Sequence, residues 1–140
     1  MSVKSLNTLI KLQKRQIDVL RREISLLQDE RNKLQEASEK LRQEYARESE
    51  LLQNDLSMAS FFATYSHCTK LRLATLGDEI FKLDDEIEAK TDIVREQFGE
   101  QKKYEIALQN AKKRIFEAEK HLLQKTFDEV ASQSYFRNLE

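Results

Sequence analysis

A seven-residue spacing of apolar side chains persists through nearly all of this 140-residue chain, and it leaves few folds open. In the first part Val3, Ile10, Ile17, Ile24, Arg31, Ser38, Tyr45 and Leu52 fall at heptad position a. Leu6, Gln13, Leu20, Leu27, Leu34, Leu41 and Glu48 fall at d. Eleven of these fifteen are apolar, with Ile favoured at a and Leu at d, so the segment reads as a helix carrying one narrow apolar stripe. Such a stripe needs a second helix to cover it. The polar members, Gln13, Arg31, Ser38 and Glu48, weaken the seam, although residues of this kind also fix register.

The second part repeats the pattern. Leu73, Ile80, Ile87, Val94, Leu108, Ile115 and Leu122 fall at a, with Gln101 and Glu129 as exceptions. Leu76, Leu83, Tyr104, Ala111 and Ala118 fall at d, with Lys90, Gln97 and Lys125 as exceptions. On the outer faces Asp18/Arg22, Asp29/Lys33, Glu36/Lys40, Asp78/Lys82 and Glu86/Lys90 place an acid four residues before a base, each pair worth a few tenths of a kcal/mol to a solvated helix. The chain has no Pro and two Gly, so almost nothing punctuates these helices. Gly77 and Gly99 lie off the seam, where they mark candidate local bends.

Between the two arms lie fourteen residues, 56–69, without a formal charge, in a chain that is 35% charged. They include Met58, Phe61, Phe62 and Tyr65 at helical spacing. This gap is read as the bend of a helical hairpin. The predicted fold is all-α: two long helices in an antiparallel coiled-coil hairpin, filling residues 1–140 as a single domain. Arm one spans about 3–56, the bend about 57–69, arm two about 70–134, and a tail 135–140. Ser60, Thr64, Thr69 and Thr75 are the candidate caps of the second helix. The closing Leu139-Glu140 has the look of an expression-vector scar and receives no weight.

The competing architecture is one unbroken helix in a parallel dimer, because Val3 and Leu73 share a heptad phase. That phase also places Ala59, Phe62, Ser66 and Thr69 on the seam, and three of those four are small or polar. The hairpin is the preferred reading, with the protein a monomer.

Charge is segregated along the chain. Residues 1–22 and 101–125 are basic, at +5 and +4, whereas 23–56 and 70–100 are acidic, at −4 each. An antiparallel hairpin gathers the basic stretches at its open end and the acidic ones near its bend. The basic set is Lys11, Lys14, Arg15, Arg21, Arg22, Lys112, Lys113, Arg114 and Lys120. It reads either as solubilising surface or as a docking site for an acidic protein. Nucleic acid is disfavoured, since no aromatics interleave the cations and the net charge is −1.

Catalytic chemistry finds little support. No Gly-rich phosphate loop or Gly-Lys-Ser/Thr is present, so no nucleotide site of that kind is expected. His67-Cys68 and the distant His121 do not form a four-ligand zinc set. The expectation is no enzyme, no cofactor and no metal. The longest apolar runs fall well short of a membrane span, and a lone Cys68 fits a reducing compartment, so the expected location is cytoplasmic.

Three segments carry a resemblance to a known family: SLNTLIKLQKRQIDVLRREI near the start, FFATYSHCTKLRLATL in the middle, and EQFGEQKKYEIALQNAKKRIFEAEKHLLQKTFDEVA toward the end. Together they resemble the flagellar type III export protein FliJ, as do the related injectisome stalk proteins. The more telling pieces are residues 61–65 with Arg72 and Leu76, and Phe127-Asp128-Glu129-Val130-Ala131, which is similar to the family's Leu-Asp-Glu-Ile/Phe-Ala ending. The resemblance implies a stalk whose terminus-bearing end enters a hexameric export ATPase, while mid-chain residues contact a membrane export-gate protein and export chaperones are also handled. Association with the membrane would then be peripheral, through partners. Carried onto this chain, the nine basic residues would meet the ATPase ring. Phe61, Phe62, Tyr65, Leu71 and Leu76 would meet the gate or a client. The alternatives are a holdase-like chaperone using its aromatic tip and a plain coiled-coil scaffold or tether.

Overall fold

A computed structural model of the chain describes residues 2–139. They form two α-helices, α1 (Val3–Gln53) and α2 (Ala59–Leu139), joined by a short bend that includes one 3-10 turn at Leu56–Met58. The helices pack against each other as an antiparallel, all-α hairpin, and the described residues contain no strand.

Burial follows the heptads closely. Of the fifteen a and d positions in α1, only Glu48 is exposed. In α2 every a and d position from Leu73 to Ala111 is covered. The core is thin, because a helix pair has no third layer to close over its seam. Its most buried apolar side chains are Leu6, Ile10, Ile17, Leu76, Val94 and Ala111. Two compact units are distinguished, one formed by Ile17–Arg95 and the other by Met1–Gln16 with Glu96–Glu140.

Within the unit that contains the bend, three cross-helix contacts set the register. Tyr45 Oη and Ser66 Oγ are hydrogen-bonded at 2.9 Å, Arg31 Nε pairs with Asp84, and Lys90 Nζ donates to Glu23 Oε2 at 2.9 Å. As the α1 number falls the α2 number rises, which is the antiparallel order. Two polar interruptions of the heptads are thereby accounted for. Arg31 at a and Lys90 at d lay their alkyl stems along the seam and carry their charges to acids on the opposite helix. Exposed pairs of this kind contribute only about 0.2–1 kcal/mol each, so they select register more than they add stability. Two small seam residues, Ser38 and Thr69, are buried.

In the unit built from Met1–Gln16 and Glu96–Glu140, Leu6, Ile10 and Ala111 are the buried apolar residues. Gln13, Gln97 and Gln101 place amide oxygens in the seam without a hydrogen-bond partner, although Gln101 Nε2 reaches Glu105 Oε1 at 2.9 Å. Covering of α2 stops at Ala111. From Lys112 to Leu139 every residue is exposed.

The reversal lies earlier than the uncharged stretch implies. The α1 helix ends at Gln53, and α2 starts at Ala59, so most of the expected bend 57–69 is the opening of α2. No described residue takes a positive φ, so the turn is made without a left-handed position. Instead Asp55 is extended, at φ −120° and ψ 101°. Its carboxylate oxygen Oδ1 accepts from Ser57 N at 3.1 Å and from Ser57 Oγ at 2.6 Å. Asp is a favoured residue for satisfying the first free N–H groups of a helix. Of the expected caps, Thr64 and Thr75 lie inside α2 and donate to the carbonyls four residues earlier, Ser60 O and Leu71 O. Ser60 and Thr69 are also internal to α2. The expected tail from 135 is helical through Leu139, while Glu140 lies outside the described residues. Gly77 and Gly99 are ordinary helical positions facing open space.

Ile17 is 2% exposed, whereas Leu26, nine residues on, is 69% exposed. Ile17→Ala is therefore expected to destabilise the fold by about 2–5 kcal/mol. Leu26→Ala should shift stability by no more than about 0.5 kcal/mol. Urea unfolding of both variants checks the assignment of the seam.

Candidate functional site

Two surfaces contain the residues singled out from the sequence. The first lies around the bend. Tyr45 of α1 stacks with Phe62 at 6.3 Å between ring centroids and with Tyr65 at 6.1 Å, both rings lying within 22° of parallel. Ser66 hydroxyl bonding holds the Tyr45 phenol below its ordinary value of 10.0, opposed by partial desolvation. Phe62 and Tyr65 are thus half-covered by their own hairpin. Leu76 is 8% exposed, at a d position of the seam. It is a packing residue, and this corrects its expected place on a gate or client surface. Phe61 and Leu71 are exposed, at 59% and 56%.

Two exposed apolar residues near the bend were not singled out from the sequence, Leu51 and Leu56 at 93% exposure, and Met58, which was read as sharing a helical face with Phe61, is exposed as well. With Phe61 they fall within residues 51–61. A signal for Leu51 was available, since Leu51 and Leu52 are adjacent and only one of the pair fits the seam. A shallow groove beside them is lined by Glu44, Arg47, Glu48, Leu51 and Tyr65. The groove sets Glu44, Arg47 and Glu48 of α1 beside Leu51 and Tyr65.

The second surface is basic. All nine expected cations are exposed. Lys11, Lys14, Arg15, Lys112, Lys113, Arg114 and Lys120 share the unit that contains the α1 start, whereas Arg21 and Arg22 belong to the bend-containing unit. The first unit has twelve basic and eight acidic side chains, and the second has twelve and seventeen. The segregation seen along the sequence therefore becomes +4 in one unit and −5 in the other. Lys112, Lys113 and Arg114 immediately follow Ala111, the last covered residue of α2, and have no acid within ion-pair distance among the described residues.

His67 and Cys68 are exposed on the opening of α2, and no group of His, Cys, Asp or Glu suited to a metal occurs among the described residues. No described helix is long and apolar enough to cross a membrane. No protein-family model matches the chain, and no curated protein or solved structure matches it either. The two surfaces therefore stand on sequence and geometry.

Among the described residues, the bend contains the one clearly displaced carboxyl. Its side-chain and backbone hydrogen bonds from Ser57 hold Asp55 below its ordinary value of 3.8. A depressed carboxyl stabilises the fold fully above its unfolded value and loses that contribution as pH falls through the folded one. Asp55→Ala is accordingly expected to lower the melting temperature at pH 7. The gap to the parent protein should close as the pH drops below 3.8. Parallel thermal melts across that range provide the check.

Proposed function

We propose that this chain is a non-enzymatic central stalk of a type III protein export ATPase complex. Its terminus-bearing end enters the hexameric ATPase ring, and its bend end meets the membrane export-gate protein and export chaperones. The observation that carries the reading is the exposed, unpaired cation group Lys112, Lys113 and Arg114, set where α2 continues alone beyond its partner helix. A bare helix with a basic collar suits insertion into an acidic socket, with α1 widening the stalk behind it. Lys11, Lys14, Arg15 and Lys120 extend the positive surface of the same unit. Long-range attraction of this kind speeds docking and weakens with salt.

A holdase-like chaperone is the second reading, favoured by the exposed Leu51, Leu56 and Phe61 around the bend. Apolar groups rimmed by acids suit transient capture of unfolded segments.

Charge reversal of Lys112, Lys113 and Arg114 to Glu is expected to weaken binding to a hexameric export ATPase at least tenfold at low salt. The difference should shrink as salt is raised, and co-sedimentation with the ring measures it. Equal binding by the reversed protein would defeat the stalk reading. Phe61→Ser with Leu56→Ser separates the two functions: a holdase loses suppression of client aggregation, whereas ring binding is untouched.

A further inference from the structure

The heptads of α2 do not end with its covered part. Ile115, Ala118 and Leu122 continue them past Ala111, yet all three are exposed. Sliding α1 along α2 by one heptad would lay Leu6 level with Ile115 and Val3 level with Ala118. The seam pattern alone permits that register, and the chain does not take it.

The register in place follows from the cross-helix pairs. Arg31 reaches Asp84, and Lys90 reaches Glu23 at 2.9 Å. The seam residues at those levels are Arg31 with Leu83 and Ile24 with Lys90, so each layer joins an a residue of one helix to a d residue of the other. In the unit that contains Val3, the covered seam positions fall into the same kind of layer when taken in antiparallel order. Val3 is level with Ala111, Leu6 with Leu108, Ile10 with Tyr104, and Gln13 with Gln101. The two glutamines therefore share one layer, and both place their amide oxygens in the seam, out of water.

We propose that this glutamine layer, together with the placement of Arg31 and Lys90, locks the hairpin in its register against a slide of one heptad. After the slide Gln13 would lie level with Leu108, and Gln101 would likewise lose its polar counterpart. Two layers would then each bury an amide against apolar side chains, where one layer now holds both amides. Arg31 would lie level with Lys90. Two cations would share one narrow layer, and each would have left its acid, Asp84 or Glu23, a heptad behind. The turn does not supply this selection by itself. It would move by three to four residues, remaining within the uncharged run 56–69 and giving up the Asp55 cap.

The lock decides which part of α2 stays bare. With it, Lys112, Lys113 and Arg114 stand just past the last covered residue. After a slide they would flank a covered seam at Ile115. The inference does not rest on the stalk reading, because it concerns the pairing of the two helices of one chain.

The test is the distance between spin labels at Arg47 and Glu88, both exposed, in a Cys68→Ser background diluted with unlabelled protein. In the register in place the two positions are offset along the axis by about 32 Å, and a slide of one heptad reduces this to about 21 Å. Gln13→Leu with Gln101→Leu is expected to keep the parent distance, since Arg31 and Lys90 still bar the slide, and to melt at a higher temperature than the parent. Adding Arg31→Glu reverses the choice. The acid at that position is repelled by Asp84 where it stands and attracted to Lys90 after the slide, so the labels should approach by about 10 Å. The melt of the double variant tests the glutamine layer whether or not the triple variant folds. A double variant that melts below the parent or already slides, or a folded triple variant that keeps the parent distance, would overturn the proposal.

Discussion

Everything in this molecule follows from the mutual covering of two apolar stripes, neither of which is stable in water by itself. The stripes are narrow, two residues in seven, so one neighbouring helix is enough to cover them. A chain with 35% charged residues has little else to bury. Long isolated helices gain most of their stability from such packing rather than from intrinsic propensity. The seam therefore decides where the chain turns, which polar residues are tolerated and where helix is left bare.

Much of this was legible in the heptads. They specify the two helices and the covered residues as far as Ala111, whereas Ile115, Ala118 and Leu122, which continue the pattern, are exposed. Their polar exceptions also make sense once the partner helix is in place: Arg31 and Lys90 reach acids across the seam, and Ser38 and Thr69 are small enough to be enclosed. The bend was less legible. An uncharged run looks like a break, but here most of it is the opening of α2, where Phe62, Tyr65, Ser66 and Thr69 pack against α1 and the other residues are exposed. The sequence signal for the turn was Asn54-Asp55 with Ser57, a short capping arrangement that Thr-based caps further along obscured.

Leu76 shows how two lines of sequence reasoning can compete. Family resemblance put it on an interaction surface, whereas the heptads put it at d, facing the partner helix. Burial favours the heptads. Exposed apolar residues occur at the bend, as Leu51, Leu56 and Phe61, beyond Ala111, and also singly along the paired helices, as Leu26, Leu71 and Phe81 do. The seam of the terminus-bearing unit has unpartnered oxygens on Gln13, Gln97 and Gln101, each of which costs desolvation energy without a compensating bond.

The account stands or falls on the chain doubling back on itself between Gln53 and Ala59. The direct measurement is the distance between spin labels at Lys33 and Lys82, both exposed, in a Cys68→Ser background diluted with unlabelled protein. Adjacent antiparallel helices place their axes about 8–10 Å apart, so an intramolecular separation of about 20–30 Å between labels is predicted. A separation of about 70 Å, the rise of one uninterrupted helix between those residues, would contradict the hairpin.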